Sequence, residues 1–185
     1  METDDLGFYK ELTEKVAFIK GKWYALIEEE GGDCPVCDRW GKMYRRGLNS
    51  AMARGLLWLV QQGDGRGDGW IDVPETAPRW MLRSPQFPSL RYWGLVQTMT
   101  SEKHSKLKST GLWKVTDQGR LFALRRSMVT KYVNVYNDTP FSFEGDQVYI
   151  DDCLGHKYNY AELTKGNFYD DTRSESEEES EDYLR

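Results

Sequence analysis

The chain has few of the residues on which most recognisable chemistry depends. Its 185 residues include two histidines and three cysteines, and neither Gly-x-Ser-x-Gly nor His-Glu-x-x-His occurs. A non-enzymatic role is therefore expected. A carboxylate nuclease stays open, because its residues are scattered in sequence and leave no such signature. Three cysteines, an odd and small number, do not make a disulfide framework, so a reducing compartment is expected. No run approaches the roughly 20 apolar residues of a membrane span. The opening residues Met1 to Asp5 are acidic and no apolar stretch follows them, so no secretory leader is expected. These features point to a cytoplasmic protein without a membrane partner. Aromatic residues are plentiful, with seven Trp, eleven Tyr and seven Phe, which excludes a wholly disordered chain. The length suits one domain with a small appendage.

Charge is unevenly spread. Residues 1–33 carry nine acids and four Lys, and residues 170–185 carry eight acids and two Arg. Between them, residues 34–169 hold 19 Lys and Arg against 13 acids. A basic centre lies between two acidic ends, although the net charge is −5. The centre is compatible with a phosphate-backbone partner. The end, rich in Ser and Glu, is expected to be disordered, because it has too little apolar surface to offset the entropy of ordering. Its plain role is solubilising. It could also compete with nucleic acid for the basic centre, and its serines could accept phosphate.

Along the chain, Leu6, Tyr9, Leu12, Val16, Ile19 and Trp23 recur at three- and four-residue steps. This predicts an amphipathic helix over 5–30, ended by Gly31-Gly32 and either packed in the core or docked on a second helix. Residues 32–46 read as a tight knuckle and a short strand. Asn49-Ser50 caps a second helix, 51–62. Gly63–Gly69 is a glycine-rich loop, and 70–73 a short strand stopped by Pro74 and Pro78. Residues 84–97 are predicted as a third helix, with Pro85 and Pro88 in its first turn. Strands are predicted at 95–100 and 112–116 around a polar loop, Ser101–Thr110. A helix from Asp117 to about Arg126, strands at 129–136 and 141–150, and short helical turns over 151–165 complete the chain. No internal repeat is present.

The stretch from Leu90 to Phe122 carries the most specific signal. Gly94-Leu95-Val96 follows a predicted helix, a basic loop comes next, and then Trp113-Lys114-Val115-Thr116-Asp117-Gln118-Gly119-Arg120. Independently of any family, Gly94 permits a helix-to-strand turn, and the Thr116 hydroxyl can cap the helix that begins after it. These two motifs in this order resemble the winged-helix domains of MarR-like regulators, over residues 48–126 at most. The resemblance implies a helix from Ser84 entering the major groove and the following loop acting as a wing. Arg83, Gln86, Ser89 and Arg91 would face the DNA, Arg91 and Gln86 toward bases. Lys103, Lys106 and Lys108 of the wing, with Ser89, would contact phosphates. Elsewhere, the Cys34–Cys37 segment and the Asp151–Leu163 segment resemble small proteins encoded by bacteriophages. This implies a phage or prophage origin and no activity; joined to the winged-helix resemblance, the expectation is a phage regulator in the cytoplasm of a bacterial host.

Cys34-Pro35-Val36-Cys37 has zinc-knuckle spacing, followed by Trp40 and Gly41. Cys153 and His156 repeat the two-residue gap, so a Cys3His zinc site from Cys34, Cys37, Cys153 and His156 can be written. The plainer reading is packed thiols. A redox pair is disfavoured because Asp38–Gly41 is a poor helix start. Asp64–Glu75 nearly spells a calcium loop, but Arg66 stands where a ligand oxygen is needed, and Pro74 and Pro78 oppose an exit helix. Its Arg66-Gly67-Asp68 adhesion tripeptide means little in a chain expected to be intracellular, and the alternating glycines do not make a phosphate loop, since no Lys-Ser/Thr or helix follows.

The expected fold is therefore α+β, a winged helix-turn-helix core with additions. These are an N-terminal amphipathic helix (1–33), a Cys-x-x-Cys knuckle leading into the core (34–126), a small β-rich extension (127–169) and an acidic tail (170–185). The expected partner is double-stranded DNA. The alternative is an effector that binds a host or phage protein through its aromatic surface or acidic tail, with acidic ends that could mimic nucleic acid. Homodimerisation stays open.

Overall fold

Gly31, at φ +91°, turns the chain out of its first helix. In the computed structural model, which describes residues 3–63, 69–101 and 108–164, that helix is α1 (Thr3–Glu29). The amides of Glu30 and Gly31 both donate to the Leu26 carbonyl, at 3.1 and 3.3 Å. The chain then forms a short antiparallel pair, β1 (Gly32–Asp33) and β2 (Trp40–Gly41), with Gly32 opposite Gly41. Met43 N–H returns to the Ile27 carbonyl at 2.8 Å. Gly41 must be glycine for steric reasons, since a Cβ there would lie 2.5 Å from the Trp23 ring.

The architecture is mixed α+β, and it divides into two units. The first comprises Met1–Arg46 and Val133–Phe143; the second comprises Gly47–Tyr132 and Glu144–Arg185. The first unit has a small core of Trp23, Ile27, Cys34 and Met43, with Tyr24 and Tyr136 packed on it. Trp23 Nε1 donates to the Gly32 carbonyl at 3.0 Å, so the indole is paired as well as buried. Only the end of α1 is used in this core. Leu6, Tyr9, Leu12 and Ile19 stand 78, 62, 46 and 38% exposed. The periodic stripe therefore does not fill the core, because this unit supplies partners only for the helix's last turns.

The second unit is built around α2 (Ser50–Gly63), which buries Met52, Leu56, Leu57, Leu59 and Val60 among others. Asn49 caps it as predicted, its Oδ1 accepting from the amides of Ala51 and Met52 at 3.1 and 3.2 Å. After β4 (Ile71–Asp72) come two single-turn helices, α3 (Val73–Thr76) and α4 (Arg79–Leu82). Asp72 caps α3 by accepting from Glu75 N–H at 3.1 Å. Pro74 sits in the first turn, so the prolines shorten this helix and do not prevent it.

The predicted third helix over 84–97 is replaced by a 3₁₀ helix, Phe87–Trp93. Pro85 and Pro88 lack the amides a continuous α-helix needs, and each restricts the residue before it. The chain makes i to i+3 bonds instead, from Ser84 N–H to Met81 O at 3.1 Å and from Ser89 N–H to Gln86 O at 3.0 Å. Phe87, Leu90 and Trp93, three residues apart, share its buried face. This segment packs on α2; a Cβ at Gly55 would meet the Phe87 ring at 2.9 Å.

Next come β5 (Val96–Ser101), β6 (Lys108–Val115) and α5 (Asp117–Ala123). The strands form an antiparallel sheet in the order β4-β6-β5, with Ile71 opposite Trp113 and Val96 opposite Val115. β6 begins earlier than predicted, at Lys108. β7 (Val129–Tyr136) and β8 (Thr139–Val148) join through Asn137 and Asp138, both at positive φ, a pairing that suits a two-residue hairpin turn. They form a second sheet, ordered β3-β7-β8, with β3 (Tyr44–Gly47). α6 (Ile150–Leu154), a 3₁₀ turn (Gly155–Lys157) and α7 (Tyr160–Thr164) follow. Among the described residues no helix is long and apolar enough to cross a membrane. The expected acidic tail and most of the glycine-rich loop lie outside the described residues.

Candidate nucleic-acid interface

The two sequence motifs meet at one corner of the second unit. Gly94 adopts the left-handed conformation at φ +67° and ends the 3₁₀ helix. Thr116, at the end of β6, donates its hydroxyl to the Gly94 carbonyl at 2.6 Å and accepts from the Gly119 amide at 3.0 Å. Its own N–H donates to the Leu95 carbonyl at 3.1 Å. Gly119 fits only without a side chain, because a Cβ would lie 1.9 Å from the Leu95 oxygen. The start of β5, the end of β6 and the first turn of α5 are thereby fastened together.

The predicted contact residues differ in their placement. Arg83 caps the end of α4 and is exposed. Gln86 is exposed, and its Oε1 accepts from the Asn49 side-chain amide. Ser89 and Arg91 are half-buried within the 3₁₀ helix. The Arg91 guanidinium lies 4.9 Å over the Tyr92 ring and donates to its hydroxyl at 3.4 Å. The four do not share one face of an α-helix, so the predicted insertion of a continuous helix from Ser84 has no counterpart here. A seven-residue 3₁₀ segment spans about 14 Å. Lys108 opens β6; Lys103 and Lys106, with His104, lie outside the described residues.

Some of the central basic charge is taken up internally, which composition could not reveal. The Arg54 guanidinium is held between Trp80 and Tyr158, 4.0 and 4.3 Å from their ring centres, and donates to the Tyr158 hydroxyl at 3.0 Å. Arg125 pairs with Asp151 at 3.1 Å and lies 5.0 Å from the centre of the Tyr160 ring. These residues brace α2 and the C-terminal helices. Their partners lie far away in sequence, so no local pattern signals them.

The Cys34–Asp38 segment forms a tight hydrogen-bonded turn. Cys34 N–H donates to the Arg39 carbonyl at 2.8 Å, while the amides of Cys37 and Asp38 donate to the Cys34 carbonyl at 3.3 and 2.8 Å. Asp38 closes the turn at φ +57°. Cys34 is buried and Cys37 exposed. The Val36 amide foremost, then the Cys37 amide and thiol and the charge of Lys20, pull the Cys34 thiol below its ordinary pKa, against the effect of burial. Cys153 and His156 belong to the other unit. Cys153 is buried in α6, and burial pushes its thiol up to about 11. His156 is exposed in the following turn. Among the described residues no group of three or more His, Cys, Asp or Glu is placed to hold a metal ion.

Comparison with protein-family models, with curated proteins and with solved structures gives no match to this chain.

Proposed function

We propose that the chain is a non-enzymatic DNA-binding protein of winged-helix type, a regulator of the kind phages encode. The observation that carries this reading is the corner at Thr116. It joins the Gly94 turn, both hairpin strands and α5, the parts that the sequence motifs assign to a wing and the helix after it. The phage character rests on the sequence likeness alone. In this reading the hairpin leads. The segment joining β5 to β6 carries Lys103 and Lys106, and Lys108 begins β6, so these three lysines engage the phosphate backbone. Arg83 and Gln86 contribute from the surface before the 3₁₀ helix. Specific base reading through a long inserted helix is not part of the mechanism. Cys34 and Cys37 supply two thiolates to a zinc ion.

Binding of the full chain to mixed duplex DNA across a salt series, with and without residues 170–185, tests the proposal. Affinity should fall steeply with salt and improve when the acidic residues are removed. No binding by either form at low salt would overturn it. The alternative, a module that binds another protein, is favoured by one observation: the exposed apolar face of α1.

A further inference from the structure

We propose that α1 is a docking helix for an acidic amphipathic helix of a partner protein. Tyr9, Leu12, Val16, Ile19, Trp23 and Leu26 follow a strict three-four spacing, the seam of a helix that packs along another helix. Trp23 turns into the core of its own unit, but the seam N-terminal to it does not. Leu6, Tyr9, Leu12 and Ile19 are exposed and Val16 is half-buried. From Tyr9 to Ile19 this seam runs about 15 Å, and Leu6 extends the apolar surface beside it. A contiguous apolar strip of that kind on a surface marks an interaction site.

The charges beside the seam select its occupant. In the heptad set by Tyr9 and Leu12, the flanking positions between Tyr9 and Trp23 are Thr13, Lys15, Lys20 and Lys22, so every charged one is a lysine. Glu14 falls on the opposite side of the helix, while Glu11 lies one turn before Lys15 on the same side. A second copy of the chain packed in parallel would set Lys15 against the partner's Lys20. Packed antiparallel, Lys15 would meet Lys22. Both arrangements place like charges together at the positions that decide pairing. A helix with Asp or Glu flanking its own seam would meet three lysines. Lys15 reaches Glu11 at 2.7 Å within the helix, and an exposed pair of this type is readily exchanged. The chain's own acidic end offers charge but no apolar residues at heptad spacing, so it lacks a seam to lay on this one. The acids along α1 disfavour an anionic membrane as the occupant.

The test uses the full chain and two synthetic three-heptad peptides with the same leucine seam, one flanked by Glu and the other by Lys. Binding is followed by fluorescence anisotropy of the labelled peptide. The Glu peptide should bind at least about tenfold more tightly than the Lys peptide. Leu12→Glu with Ile19→Glu should abolish binding; these side chains are exposed, so circular dichroism should show the fold retained. Changing Lys15, Lys20 and Lys22 together to Glu should reverse the preference. Equal binding of the two peptides, or no binding of either, overturns the proposal. So does self-association of the free chain that Leu12→Glu abolishes, tighter binding to phosphatidylserine vesicles than to the Glu peptide, or peptide binding that appears only after residues 170–185 are deleted. Failure here leaves the DNA reading intact, because that reading concerns the second unit.

Discussion

The Thr116 hydroxyl donates to the Gly94 carbonyl at 2.6 Å while accepting from the Gly119 amide at 3.0 Å. One side chain thus fixes a turn 22 residues away in sequence and the first turn of the next helix. The stability of the hairpin's base rests on this junction.

Thr116→Ala should cost about 1–2 kcal/mol through the lost cap, and Thr116→Ser should stay within about 0.5 kcal/mol. Gly119→Ala should cost at least about 3 kcal/mol, since the new methyl collides with backbone. Gly94→Ala meets only the Gln118 side-chain oxygen, at an ordinary contact distance of 3.5 Å, and should cost about 1 kcal/mol from its left-handed φ. Urea unfolding midpoints check this ranking.

Arg54 offers a separate test of packing in the second unit. Its guanidinium is stacked between Trp80 and Tyr158, a geometry that a compact ammonium cannot reproduce. Arg54→Lys should lower stability by about 1 kcal/mol despite conserving charge. Thermal unfolding in low and high salt measures it, and the loss should persist at high salt because the site is half-buried.

The three thiols should separate by reactivity. At neutral pH a disulfide reagent should titrate the exposed Cys37 and then Cys34, whereas Cys153 should react only after unfolding. Cys153 also predicts a pH dependence. Its folded pKa of about 11 exceeds the unfolded value of about 8.5, so the protonated form is favoured by folding. That contribution is complete below pH about 8.5 and is lost as pH rises toward 11. The urea midpoint of the wild type should therefore fall more between pH 8 and 10.5 than that of Cys153→Ala.

Cobalt serves as the probe for the knuckle. Titration of the reduced chain with Co2+ should give a thiolate charge-transfer band that is lost in Cys34→Ser and in Cys37→Ser. The band should survive in Cys153→Ala. Its loss there would mean that Cys153 completes the site, as the sequence spacing first suggested.

Local signals were legible in the sequence where a residue acts on its immediate neighbours. Asn49 capped α2, Gly31 ended α1, and Gly94 and Thr116 marked both ends of the hairpin as predicted. The segment after Arg83 was misread because apolar spacing outweighed two prolines. Phe87, Leu90 and Trp93 recur every three residues, the period of the 3₁₀ helix that forms, and that spacing was available as a signal. The stripe on α1 was legible as a pattern, but its burial was not, because periodicity says which side is apolar and not what covers it. The Arg54 stack depends on Tyr158, 104 residues away, and such pairings leave no local trace. The β5–β6 pair was therefore legible, while the shape of the segment before it was not.

The most direct test of the DNA reading is the salt dependence of duplex binding for the wild type and for the triple variant Lys103→Ala, Lys106→Ala, Lys108→Ala. The wild type should show log affinity falling linearly with log salt. The variant should bind more weakly at every salt concentration, with its slope reduced by about 2 to 3. An unchanged slope and affinity in the variant would contradict the hairpin as the site of backbone contact.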